Sequence, residues 1–158
     1  MTDLDALHAF IVAAKAATYV GDSQPVKSCR EKSHDLAFSQ GSFRYLDSYF
    51  GGQDFIGEEV VYLQNEPVWG MNYYGVVLKP EQITAAEAGG MIKASLSKMY
   101  AAGRFLGGWQ HTQGKLVYHD TSDGDLTHFT GYEWIERDGI KVYELFYHGG
   151  LILSLIHI

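Results

Sequence analysis

Phe55-Ile-Gly-Glu-Glu-Val-Val-Tyr-Leu63 and Val68-Trp-Gly-Met-Asn-Tyr-Tyr-Gly-Val-Val77, separated by Gln64-Asn-Glu-Pro67, decide the fold. Both runs are rich in β-branched and aromatic residues, and a polar turn lies between them, so they predict a long antiparallel hairpin closed around Asn65-Glu66. Upstream, His34 to Phe38 and Ser42 to Tyr49 read as two further strands, the second ended by Gly51 and Gly52. Downstream, Lys115 to His119 reads as a short strand, and Thr127 to Arg137 pairs with Ile140 to His148 across Asp138-Gly139, a strong hairpin signal.

Two helices frame these strands. Leu4, Leu7, Ile11 and Ala14 recur at helical intervals behind Thr2, which predicts a helix over about 2–17. Pro80 and Glu81 suit the start of a second helix, Ala85, Ala88, Ile92, Leu96 and Met99 give it one apolar stripe, and Gly103 suits its end. Gly89 and Gly90 within it suggest close approach to the sheet. The expected fold is α+β: an antiparallel, hairpin-rich sheet of about seven strands, with an N-terminal helix and a long helix between the fourth and fifth strands. Strands do not alternate singly with helices, which disfavours a parallel sheet.

The 158 residues suit one domain, expected over 1–152. The last six residues, Leu153-Ser-Leu-Ile-His-Ile158, read like a translated sequencing adaptor and are expected to be a non-native tail. A single cysteine, Cys29, excludes an intramolecular disulfide and points to a reducing, cytoplasmic setting. No apolar window reaches the roughly 20 residues of a membrane span, and no secretory leader is evident. A net charge of −7, with dispersed Lys and Arg, argues against direct nucleic-acid binding.

Counting back from the Asn65-Glu66 turn places Glu59 opposite Asn72 and Gly57 opposite Tyr74. One face would then gather a carboxylate, an amide and a phenol, as in a polar ligand pocket or a general-base site. The alternative is a solvated sheet face. The candidate ligand-binding residues are Asp47, Tyr49, Glu59, Asn72, Tyr74, His111 and His148. In the second hairpin, counting back from Arg137 opposite Ile140 puts Glu133 against Glu144. Such a pair is either a solvated, screened edge pair or is compensated by Lys115, a bound cation or a raised carboxyl pKa.

Metal and nucleophile motifs fail. A calcium loop centred on Gly124 would have His119 and Thr130 where carboxylates are required, so Asp120 to Asp125 reads as a turn and no metal is expected. The Gly-Gly pairs at Gly51, Gly107 and Gly149 do not build a phosphate loop, and no cofactor is implied.

The segments Asp47-Ser-Tyr-Phe-Gly-Gly52, Phe55-Ile-Gly-Glu-Glu59, Trp69-Gly-Met-Asn-Tyr-Tyr-Gly75 and Tyr143-Glu-Leu-Phe-Tyr-His-Gly-Gly150 resemble a bacterial family, domain of unknown function 5680. The resemblance runs over nearly all of 7–152. It implies a stand-alone protein or a partner of regulators that carry an Xre-type helix-turn-helix, and it brings no activity or catalytic residue. It also implies that the natural chain ends soon after His148-Gly-Gly-Leu151. Three functions remain open: a small-molecule-binding or sensing domain, an enzyme with Glu59 as base and Tyr74 or His111 as acid, and a homodimerising module using aromatics such as Phe50 or Trp109.

Overall fold

In the computed structural model, which describes residues 2–21 and 23–153, the chain runs helix, four strands, helix, four strands. Helix α1 spans Leu4–Thr18 and is capped by Asp3, whose carboxylate accepts the amides of Asp5 and Ala6. A short acidic side chain at that position satisfies amides that the first turn leaves unpaired. Strands β1 (His34–Gln40), β2 (Phe43–Gly51), β3 (Phe55–Leu63) and β4 (Glu66–Val77) follow as successive hairpins. Helix α2 spans Ala85–Ala101, and β5 (Trp109–Gln113), β6 (Leu116–Asp125), β7 (His128–Arg137) and β8 (Ile140–Leu151) repeat the meander.

All eight strands form one antiparallel sheet in the order β1-β2-β3-β4-β8-β7-β6-β5. The two α-β-β-β-β halves therefore meet at β4 and β8, and the order reads alike from either edge. Both helices pack on one face, where Leu7, Ile11, Trp69, Met99, Phe129 and Ile135 form part of one core.

The α+β class and the antiparallel sheet agree with the sequence. The strand number does not: β5 lies inside the Gly-rich connection. Gly107 and Gly108 precede it and Gly114 follows it, all with positive φ, so glycine turns delimit a five-residue edge strand. Its polar Gln110-His-Thr-Gln113 carries no hydrophobic alternation to announce it. Nor is Asp120 to Asp125 a turn. It is the second half of β6, paired to β7 from Asp120↔Glu133 to Asp125↔His128. Pro80 opens a turn before α2, and the helix starts at Thr84, whose hydroxyl and the Glu87 carboxylate complete a capping box.

The largest correction concerns register. The first long hairpin turns at Gln64-Asn65, both at positive φ, and pairs Leu63 with Glu66. Tyr62 pairs with Pro67, yet Val61 pairs with Trp69, so Val68 is an extra residue on β4. The last hairpin does the same: Glu136 pairs with Lys141 and Ile135 with Tyr143, leaving Val142 extra on β8. One inserted residue exchanges the faces of everything beyond it. Glu59 thus opposes Met71 rather than Asn72, and Glu133 opposes Leu145 rather than Glu144.

Gly131 lies directly beneath the ring of Tyr147, and a Cβ built there would overlap it. At Gly90 a Cβ would meet nothing within 4 Å, so close packing does not explain that glycine. Gly131→Ala is expected to cost about 1–3 kcal/mol in chemical denaturation through overpacking. Gly90→Ala should raise stability by up to about 1 kcal/mol through helix propensity. Equal effects would contradict the assignment.

Candidate functional site

Asp47, Glu59, Asp120 and Glu133 lie on the helix-covered face, paired as Asp47 with Glu59 and Asp120 with Glu133, and each is no more than 5% exposed. Burial of four carboxyls on one face is costly without partners. Tyrosines supply them in a repeated pattern. Tyr73 on β4 reaches across Gly57 to donate to Asp47 at 2.6 Å, and Tyr147 on β8 reaches across Gly131 to donate to Asp120 at 2.8 Å. Tyr45 on β2 donates to Glu59 at 2.5 Å, and Tyr118 on β6 donates to Glu133. Tyr73 and Tyr147 sit opposite each other across β4 and β8, where the two halves meet.

The halves differ in the cation they supply. Lys15 of α1, 4% exposed, places its ammonium 2.8 and 3.0 Å from the two oxygens of Glu59 and 5.4 Å from the Phe105 ring centre. On α2, Ile92, Leu96 and Tyr100 follow one another at the same intervals as Ile11, Lys15 and Tyr19 on α1. Leu96 therefore stands where α1 carries the lysine, and Glu133 has only phenols, from Tyr118 and Tyr143.

Beneath the helices these groups enclose a chamber of about 50 Å³, with Lys15, Glu59, Leu96, Phe105, Asp120 and Glu133 in its wall. A second cavity of about 230 Å³ adjoins it, sharing Tyr19 and Tyr73 and bounded by Tyr49, Gly52, Gly89 and Ile92. A Cβ at Gly52 or Gly89 would have nothing within 4 Å, so these glycines leave the outer cavity open.

The family model described as domain of unknown function DUF5680 matches residues 47–152. The chain belongs to that family. No curated protein and no solved structure matches it. The matched segment of this DUF5680 member carries all four carboxyls and the tyrosines at 73, 118, 143 and 147, while Lys15 and Tyr45 lie outside it.

Burial raises the acids. Asp47 is pushed up to about 8 by desolvation and then by the neighbouring Glu59 charge. Desolvation alone raises Asp120 to about 7, against the opposing bond from Tyr147. Glu133 is pushed up to about 7 by desolvation, with the Tyr118 bond opposing. The Tyr45 and Tyr118 phenols are driven well above their ordinary range, mainly by burial, and remain donors.

The sequence-derived candidates divide between the two faces. Asp47, Tyr49 and Glu59 lie on the helix-covered side. Asn72, Tyr74 and His148 lie on the open side, around a broad hollow with Arg30 and Glu58. There Glu58 takes the place expected of Glu59: it opposes Asn72, which opposes His148. His111 sits on the edge strand β5. Glu59 is not brought together with Tyr74 or His111, so that acid and base pairing has no geometric support. Phe50 lies under Arg30 and Trp109 under Arg104, each ring partly covered.

Sequence reasoning missed Lys15, Asp120, Tyr73 and Tyr147 as members of a site, and it singled out Glu133 but set it against Glu144 instead of Leu145. The available signal was a repeat: Gly57-x-Glu59 followed by Tyr73 recurs as Gly131-x-Glu133 followed by Tyr147 at identical internal spacing.

Lys15→Met leaves Glu59 buried without its cation and is expected to cost about 3–5 kcal/mol. Adding Glu59→Gln should restore much of that loss in a double-mutant cycle. Additive losses would contradict the pairing. Asp47, Asp120 and Glu133 hold their protons more tightly in the folded state than the ordinary value near 4 allows unfolded. Their contribution is full below about pH 4 and is lost as pH rises through about 7 to 8. The melting temperature should therefore be higher at about pH 5.5 than at about pH 8.5. A rise with pH over that window would contradict the assignment.

Proposed function

We propose that this domain binds a small molecule in the cleft between its helices and the covered face of the sheet. The observation that carries the reading is the pair of adjoining cavities: a glycine-lined outer space of about 230 Å³ and an inner chamber of about 50 Å³ whose mainly apolar wall carries Lys15, Glu59, Asp120 and Glu133. Ligand sites are commonly concave and mostly apolar, with a few converging polar groups. Here Tyr49, Phe55, Val77 and Ile92 give the apolar wall, and Glu59, Asp120 and Glu133 the polar end. Asp120 and Glu133, which burial pushes up to about 7, lie in the chamber wall, and shifted carboxyls in a cleft mark a candidate functional site. Of the sequence-derived candidates, Tyr49 and Glu59 line this proposed site, and Asp47 lies behind it, holding the Tyr73 hydroxyl. The absence of any helix long and apolar enough to cross a membrane, among the described residues, and the lone cysteine accord with action in the cytoplasm.

The test is a thermal-shift screen of a metabolite library, because a ligand that binds only the folded state raises the melting temperature. It is run on the wild type and on Gly89→Met. Methionine at that helical position projects into the outer cavity and improves helix propensity, so the variant should fold at least as stably. Hits that raise the wild-type melting temperature are expected to lose their effect in Gly89→Met. Hits indifferent to that substitution would place binding elsewhere.

A further inference from the structure

We infer that the inner chamber seats the ammonium group of a small organic cation, held by Asp120 beside Glu133 on the half of the sheet that lacks a lysine. The inference rests on the cleft reading above and names its ligand class.

Three observations carry it. First, Asp120 is 4% exposed and lines the chamber, and its Oδ2 has no hydrogen-bond partner, while Oδ1 accepts from Tyr147. A buried acceptor left open costs free energy unless something fills it. Second, among the described residues no cation forms an ion pair with Asp120 or Glu133. The nearest positive groups are Lys15, engaged by Glu59, and Arg104, whose Nη1 donates to the Leu106 and Gly108 carbonyls. Third, the pseudo-symmetry of the fold provides its own template. Lys15 shows how this architecture accommodates an ammonium: against a carboxylate, below a helix, with the Trp69 and Phe105 rings close by. On the other half Leu96 replaces the lysine, and the equivalent carboxyls remain without a cation.

An ammonium placed there would donate to Asp120 Oδ2 in a charge-assisted bond and lie near aromatic faces that favour cations. The outer cavity would take an apolar substituent. A metal ion fits less well, because no three His, Cys, Asp or Glu side chains among the described residues converge as a ligand set.

Calorimetric titration compares butylammonium and phenethylammonium with butanol and phenethyl alcohol on four proteins: wild type, Asp120→Asn, Leu96→Lys and Gly89→Met. The amines should bind the wild type about ten- to a hundredfold more tightly than the alcohols, the range of a hydrogen bond to a charged group. Asp120→Asn should abolish that preference. Leu96→Lys, which tethers an ammonium where the ligand's would sit, should fold and lose amine binding. If alcohols bind the wild type as tightly as amines, or Leu96→Lys binds amines unchanged, the cation inference is overturned while the cleft reading stands. If amines and alcohols bind alike in wild type and Gly89→Met, the cleft reading falls with it. Manganese bound more tightly than either amine, and lost in Asp120→Asn, would overturn the inference in favour of a metal.

Discussion

Four carboxyls buried under two helices set the terms for the rest of the molecule, because a carboxylate removed from water must find a cation, a proton or several donors. Each solution occurs here. Glu59 has Lys15 and a phenol, Asp47 keeps its proton to about pH 8, and Glu133 collects two phenols. The glycines at 57 and 131 follow from the same constraint, since each lets a tyrosine ring lie across the neighbouring strand to reach an aspartate. Five of the 11 tyrosines, at 45, 73, 118, 143 and 147, are the donor set for these acids.

The doubled α-β4 arrangement explains why the acids come in equivalent pairs, and one departure from symmetry is informative. A lysine on α1 neutralises one half, whereas leucine occupies the matching place on α2. Structural burial of charge normally favours complete compensation. The incompletely compensated half keeps an open carboxylate oxygen beside a cavity.

Much of the fold was legible in the sequence because hairpin turns and helical stripes are local signals. Asp138-Gly139 and the stripe Ala88, Ile92, Leu96, Met99 lie where they were expected. Registers were not legible, because Val68 and Val142 are bulges with ordinary strand propensity, and a single insertion changes which residues of β4 and β8 share a face with each glutamate. This is why Asn72, Tyr74 and His148 separate from Glu59. Lys15 was hidden for a different reason: a lysine in an amphipathic helix ordinarily belongs to the solvent side. Asp120 was hidden by its neighbours, as Asp120 to Asp125 has turn composition and acquires strand geometry only through β7.

The central claim is that the covered face holds carboxyl groups whose charge the protein itself does not balance. Carbon-13 detected titration of the aspartate and glutamate side-chain carboxyls addresses it most directly. Asp120 and Glu133 should titrate near 7 and Asp47 near 8. All three titrating below about 5, as solvated or fully paired carboxylates do, would contradict the account.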